Sequence, residues 1–163
     1  MADDTHFARS PDRNLAHKEA AVLRAAVRAF DDKGFRAASL GEAADGTGAD
    51  RLAALAREYA LVMTQDFGIC VTRTQDHELS DASRKRFRAL KGDIDAAIRA
   101  VIAEGQADGS LAPGDPRVMA FALAGALNWI ARRYRPDGRD SPGALAASLT
   151  ETLMRGLLPR ETR

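Results

Sequence analysis

Apolar residues recur three and four positions apart along most of this chain, which is the spacing of one face of an α-helix. Leu23, Val27 and Phe30 form such a stripe near the start, and leucines four residues apart form another from Leu145 to Leu157. The pattern predicts six helices, over residues 16–33, 40–44, 50–65, 80–108, 116–134 and 142–158. We therefore expect an all-α fold, which the abundance of Ala, Arg and Leu also favours.

Residues that cap helices mark several of these boundaries. Gly34 stands where a left-handed cap ends the first helix. Asp115-Pro116 and Ser141-Pro142 each combine an N-cap residue with a proline at the first helical position. Asp50 is the expected N-cap of the third helix. The Gly-rich stretch at 45–49, which precedes it, is the one internal seam that the sequence shows.

The composition is that of an ordinary soluble domain. The length of 163 residues is enough for one domain with a core, and 45% apolar with 29% charged residues is a usual balance. The formal net charge of +1 gives no overall attraction to nucleic acid or to a membrane, although a DNA-binding protein can still carry a local basic patch. We expect a cytoplasmic protein, because the single cysteine, Cys70, forms no intrachain disulfide.

Two features of the sequence leave alternatives open. Cys70 is either a buried structural thiol, as most free cysteines are, or a reactive or ligand-sensing thiol. The basic run RKRFRALK at 84–91 is either the solvated face of a helix, with Phe87 and Leu90 pointing inward, or a surface that contacts phosphates. The arginines in IARRYRP at 130–136 suit the C-terminal end of a helix electrostatically.

Several functional classes receive no support from the sequence. Residues 1–15 are polar and lack the apolar run of a signal peptide, so we expect a flexible arm. The longest apolar run, at 118–131, is too short for a membrane span. The motifs of phosphate-binding loops, nucleophilic serine hydrolases and zinc proteases are absent, and His6, His17 and His77 are scattered. We expect no enzymatic activity, no cofactor and no metal site.

Two segments resemble the TetR family of bacterial transcriptional regulators. VLRAAVRAFDDKGFRAASLGEAA at 22–44 is similar to the family's first helix, its Gly-Phe turn and the start of its second helix. Residues 104–157 are similar to the last helices of the regulatory domain in a subgroup of the family. The most specific piece is GALNWIARRYRPDG at 125–138, followed by Ser141-Pro142. Together the resemblance covers most of the chain from about residue 20 to residue 158.

The resemblance implies a fold and a function. Proteins of the family have a small N-terminal DNA-binding domain and a larger helical regulatory domain, which holds a small-molecule pocket and pairs through its last two helices. The chain would then be a ligand-responsive dimeric regulator, usually a repressor. We expect a flexible arm at 1–15, a remnant of the DNA-binding domain at 16–49, and a ligand-binding and dimerisation domain at 50–163.

The sequence departs from the family pattern after Ala44. The Ala-Gly turn, the Tyr-x-x-Phe element and the lysine at the start of the next helix are absent, so about two helices are missing, including the one that reads bases. Only Arg36 and Ser39 map onto DNA contacts of the family, and the alternative for Ser39 is a simple N-cap. We expect impaired operator binding. The alternatives are a sensor that pairs with an intact relative, and a deletion in the gene.

The candidate site residues follow from the helices that the resemblance assigns to the regulatory domain. For the pocket, which would take a small and partly apolar effector, we expect large apolar or amphipathic side chains: Tyr59, Met63, Phe67, Phe87, Asn128 and Trp129. For the homodimer interface we expect side chains of the last two helices: Phe121, Leu127, Leu149 and Leu153. The alternative for each residue is ordinary packing in the core of one chain.

Overall fold

The computed structural model describes residues 46–66, 68, 72, 77 and 79–159. Within this part of the chain, the helices of sixteen residues or more are α1 (Gly48–Met63), α2 (Asp81–Ala107), α3 (Pro116–Arg133) and α4 (Pro142–Leu157). The same residues contain no β-strand. The predicted all-α fold is thus confirmed. The expected arm at 1–15 and the two helices predicted before residue 45 lie outside the described residues.

Three helices begin at local N-caps, and for α3 and α4 these are the predicted residues. Ser80 caps α2 by accepting a hydrogen bond from the backbone of Ser83, and Gly109, with φ of 78°, follows its last turn in the left-handed conformation. Asp115 accepts from the backbone N–H of Arg117 at 2.8 Å and caps α3. Ser141 caps α4 in the same way. These boundaries are encoded locally, in residues next to one another in sequence.

The start of α1 differs from the prediction. Thr47, and not Asp50, is the N-cap residue, and Asp50 is the third residue of the helix. The carboxylate of Asp50 accepts hydrogen bonds from the backbone N–H of Thr47 at 2.9 Å and from its hydroxyl at 2.7 Å. These bonds hold the pKa of Asp50 below its ordinary value. The expectation that Asp50 is the N-cap is wrong because Thr47 and Asp50 form a capping box, which starts the helix earlier.

Helix α1 is the centre of the bundle and packs against α2, α3 and α4, whereas α3 and α4 touch one another only slightly. Its inner face repeats with helical spacing through Leu52, Leu55, Tyr59 and Met63, all buried. Each of the other helices contributes buried side chains to this core: Ile98, Val101 and Ile102 from α2, Leu123, Leu127 and Ile130 from α3, and Ala146 and Met154 from α4. Among the described residues, no helix has the length and apolar character needed to cross a membrane.

Candidate functional site

A single polar pair links α1 to α3. The hydroxyl of Tyr59 donates a hydrogen bond of 2.8 Å to Oδ1 of Asn128. Tyr59 is only 7% exposed, and its burial raises the pKa of the phenol to about 12, so the group is neutral at physiological pH. Asn128 is half-buried. Its amide nitrogen makes no hydrogen bond to another described residue. That nitrogen can therefore donate to a hydrogen-bond acceptor on a ligand.

The other predicted pocket residues fall into different places. Met63 lies one turn beyond Tyr59 on α1 and belongs to the same buried cluster. Phe87 is also buried, but outside that cluster, and the ammonium of Lys91 lies 4.4 Å from the centroid of its ring. Phe67 lies outside the described residues. The structure thus bonds Tyr59 to Asn128, places Met63 one helical turn from Tyr59, and places Phe87 outside the core cluster of Tyr59 and Met63.

Trp129 lies on the surface and not beside the Tyr59–Asn128 pair. Its side chain is 54% exposed, and the guanidinium carbon of Arg133 lies 5.3 Å from the centroid of its ring. The reason is helical geometry, since neighbouring residues on an α-helix point about 100° apart. Asn128 faces α1, so Trp129 faces outward. The side chains of Asn128 and Trp129 therefore lie on different faces of α3.

The outer face of α3 carries an exposed apolar row, which we call the α3 stripe. It consists of Val118, Phe121, Gly125 and Trp129, which follow one another at steps of three and four residues. Val118 is 57% exposed and Phe121 is 79% exposed. At Gly125, an added Cβ would meet no heavy atom within 4 Å. An exposed apolar face of this length is typical of a surface that another protein covers.

The residues predicted for the dimer interface divide between surface and core. Phe121 lies on the α3 stripe. Leu149 and Leu153 are half-buried and pack against the core from α4. Leu127 is 0% exposed inside a single chain, so its side chain offers no surface to a partner. Helix α3 is apolar on most of its circumference, so the sequence alone does not tell which of its sides packs against α1.

The candidate DNA-binding residues Arg36 and Ser39 lie outside the described residues, and so does Cys70. In the basic run at 84–91, Phe87 is buried while Lys85 and Arg86 are exposed, which is the arrangement of an amphipathic helix with a solvated basic face. Within the part of the chain that the structure describes, no three His, Cys, Asp or Glu side chains lie close enough to hold a metal ion.

Residues 45–157 match the family model described as the tetracyclin repressor-like C-terminal domain. The chain belongs to the TetR family. The match covers more than half of the sequence and begins at the predicted seam, residues 45–49. The described helices of this TetR-family chain are those of the C-terminal, ligand-binding domain of a regulator.

Solved structures of TetR-family proteins share the fold. A TetR/AcrR-family transcriptional regulator from Thermobifida fusca YX-ER1 has a TM-score of 0.74 and 26% identity, over 93% of this chain and 76% of that one. A TetR-family regulatory protein from Rhodococcus RHA1 has a TM-score of 0.74 and 17% identity, over 93% and 82%. AibR, solved with isovaleryl coenzyme A and operator DNA, has a TM-score of 0.70 and 19% identity, over 89% and 75%. No curated protein matches the sequence.

Proposed function

We propose that this chain is a ligand-responsive transcriptional regulator, and a repressor, that acts in the cytoplasm as a homodimer. The observation that carries the proposal is the division of α3 into two faces. The inner face holds Asn128 against Tyr59 in the core. The outer face presents the α3 stripe to a partner. One helix thus joins a site that can sense a ligand to a surface that can pair two chains.

The effector site lies beside the Tyr59–Asn128 pair. Met63 supplies apolar surface next to Tyr59, and the amide nitrogen of Asn128 supplies a hydrogen-bond donor. Such a site suits a small, mostly apolar molecule with a carbonyl or similar acceptor. One structural neighbour was solved with isovaleryl coenzyme A. Acyl coenzyme A thioesters contain both an apolar chain and a carbonyl, so they are the first ligands to test.

The homodimer forms through the α3 stripes of two chains. A two-fold axis places the same surface of both partners in contact, so Phe121 and Trp129 of one copy would cover the stripe of the other. Aromatic side chains that are exposed in one chain gain much apolar burial when a partner covers them. In this proposal Leu149 and Leu153 of α4, which are half-buried and pack against the core, also belong to the interface.

Operator binding depends on residues 16–49, the expected remnant of the DNA-binding domain. In this proposal Arg36 and Ser39 contact phosphates, and the binding is weak and sensitive to salt because no base-reading helix follows Ala44. A second function is a sensor that pairs with an intact relative and disables it. What supports this alternative is that the exposed α3 stripe, within residues 118–129, is separate in sequence from residues 16–49.

The decisive experiment is fluorescence anisotropy of the purified chain on DNA from upstream of its own gene, with scrambled DNA beside it, across a salt series. The mass of the free protein is measured by light scattering in parallel. A dimer that prefers the upstream DNA at physiological salt supports the regulator. A dimer that binds both DNAs equally weakly supports the pairing sensor. A monomer contradicts the homodimeric regulator.

A further inference from the structure

The four helices alternate in direction, so their termini lie at two ends of the bundle. A Cβ added to Gly48, at the start of α1, would lie 2.2 Å from Cα of Gly105, near the end of α2. A short loop at 108–115 then leads into α3, and the N–H of Ala112 in this loop donates to the carbonyl of Leu157, the last residue of α4, at 2.8 Å. The ends of α1 and α3 and the starts of α2 and α4 therefore lie at the opposite end of the bundle.

This opposite end is rich in cations. Residues 80–91, at the start of α2, contain five Lys or Arg side chains and one carboxylate. Residues 129–136, at the end of α3, contain three arginines and no carboxylate. At the first end of the bundle, residues 103–116 contain three carboxylates and no cation. The formal net charge of +1 thus conceals a separation of charge along the helical bundle.

The cations at the start of α2 face outward. Phe87 is 1% exposed and marks the inner side of the helix. At about 100° per residue, Lys85, Arg86 and Arg88 are centred on the side opposite to Phe87, and all three are exposed. Helix α2 has 27 residues and the antiparallel α1 has 16, so the start of α2 extends beyond the end of α1.

The arginines at the end of α3 are exposed as well. Arg132 and Arg133 lie in the last turn of the helix, and Arg135 follows the C-cap residue Tyr134. We define the basic end by six exposed side chains: Lys85, Arg86, Arg88, Arg132, Arg133 and Arg135. Apart from Arg88 and Arg133, these side chains pair with no carboxylate in the part of the chain that the structure describes. Their charges are therefore available to an anionic partner.

The chemistry of the basic end suits the phosphates of nucleic acid. Five of its six side chains are arginines, and a planar guanidinium forms two parallel hydrogen bonds with a phosphate group. Cations clustered on one side of a domain are the usual electrostatic feature of nucleic-acid binding. A membrane surface fits less well, because no described residue of α2 exposes a large apolar side chain that could enter a bilayer.

We propose that the basic end binds the phosphate backbone of double-stranded DNA, so that the helical domain itself contacts DNA. This inference goes beyond the proposed function, which assigns the DNA contacts to residues 16–49. Contacts with phosphates add affinity and orient the protein on the duplex, but they carry no sequence information. The basic end therefore binds DNA of any sequence, and salt weakens this binding.

The first test is fluorescence anisotropy of the full chain on a labelled duplex of scrambled sequence, about 20 base pairs long, across a salt series. Lys85→Gln together with Arg86→Gln removes two cations. Binding at about 0.1 M salt should weaken by at least about tenfold, and the slope of log K against log salt should fall in magnitude by about 2. Circular dichroism checks that the helix content is unchanged, as expected for exposed positions.

The matched control removes the same charge from the other end of the bundle. Arg117→Gln together with Arg155→Gln replaces two exposed arginines at the start of α3 and the end of α4. This variant should bind the duplex within about twofold of the wild type. Equal losses in the two variants would show that only net charge matters, and they would overturn the proposal. Wild-type protein that does not bind the duplex would overturn it as well.

A second variant tests the contribution of α3. Arg132→Gln together with Arg135→Gln should weaken binding to the same duplex by at least about tenfold at about 0.1 M salt. Unchanged binding would overturn the assignment of the two segments to one DNA-binding surface.

Co-sedimentation with vesicles of phosphatidylcholine and phosphatidylglycerol in equal parts tests the membrane alternative. The wild type should remain in solution at the salt concentration at which it binds DNA. Sedimentation that depends on Lys85 and Arg86, without binding to the duplex, would identify a membrane surface and overturn the proposal.

The basic end and the proposed regulator fail in different measurements. The regulator fails if the chain shows no preference for its upstream DNA or is a monomer. The basic end fails if affinity for scrambled DNA does not depend on its cations. Each idea can therefore be rejected without the other.

Discussion

Tyr59 and Asn128 are 69 residues apart in the sequence, and the 2.8 Å hydrogen bond between them joins α1 to α3 beside the hydrophobic core. Tyr59→Phe should lower the free energy of unfolding by about 1–2 kcal/mol, because the Oδ1 atom of half-buried Asn128 loses its partner. Urea denaturation measures this change. Tyr134→Phe is the control, because the Tyr134 side chain makes no hydrogen bond to a described residue, and it should change stability by less than about 0.5 kcal/mol. Equal effects of the two substitutions would contradict the assignment.

The same tyrosine makes stability depend on alkaline pH. Burial raises the pKa of Tyr59 to about 12, above the value of about 10 in an unfolded chain. The folded state thus binds the phenolic proton more tightly, so this contribution is complete below pH 10 and is lost as the pH rises towards 12. A spectrophotometric titration should show an ionisation near pH 12 that the Tyr59→Phe variant lacks. Ionisation of every tyrosine near pH 10 in the folded protein would refute the prediction.

The α3 stripe should control the oligomeric state. Phe121→Glu places a charge in the proposed dimer surface and should convert the dimer to a monomer in light scattering, with little loss of protomer stability because Phe121 is 79% exposed. The fluorescence of Trp129, the only tryptophan, should shift to the red when its partner leaves. Ala96→Glu, on an exposed position of α2, is the control and should stay dimeric. A Phe121→Glu variant with an unchanged dimer mass would remove this surface from consideration.

The leucines on α4 should respond differently from Phe121. Leu149 and Leu153 are half-buried and pack against the core, so Leu149→Glu together with Leu153→Glu should destabilise the protomer as well as any dimer. Thermal unfolding at low protein concentration separates the two effects. If the double variant is monomeric with an unchanged melting temperature, these leucines belong to the interface alone.

A substitution at Gly125 can distinguish the stability of the protomer from the stability of the dimer. Alanine is favoured over glycine in helices by up to about 1 kcal/mol, and a Cβ at this position meets nothing within one chain, so Gly125→Ala should stabilise the monomer. If the partner helix approaches closely at this gap between Phe121 and Trp129, the same substitution should weaken the dimer. Urea unfolding and a dilution series in light scattering measure the two quantities. A stronger dimer would show that the partners do not meet closely at Gly125.

The sequence predicts the helices well because their boundaries are set by neighbouring residues. Asp115 and Ser141 cap the helices that the sequence predicts them to cap. Thr47 and Asp50 are both residues that favour N-cap positions, so local chemistry alone left a choice of start for α1. The capping box between them decides it. The prediction therefore placed the N-cap of α1 at the wrong residue, whereas the predicted all-α fold is confirmed.

The candidate site was harder to predict because it depends on which faces meet. The sequence predicts Tyr59 and Asn128 as pocket residues, but their pairing requires α1 to lie against one particular side of α3. That same packing buries Leu127 and exposes Trp129. The sequence does not show which side of α3 is buried, because the helix is apolar on nearly all sides. Gly105 likewise resembles a residue that merely weakens a helix. Its close approach to Gly48 becomes visible only when α1 and α2 are packed together.

Acid should weaken the hydrogen bond between Asp108 and the first amide of α1. The hydrogen bonds from the Ser110 hydroxyl and from the Gly48 and Ser110 amides hold the pKa of Asp108 below its ordinary value of about 3.9. The folded state therefore favours the ionised carboxylate, and its contribution to stability is complete above that ordinary value and is lost as the pH falls through the lowered one. Wild-type protein and Asp108→Asn should differ in stability at pH 6, and the difference should shrink below about pH 4. Asp50→Asn controls for the other low-pKa aspartate at the start of α1, and a difference between wild type and Asp108→Asn that persists undiminished at pH 3 would contradict the role of the charged carboxylate.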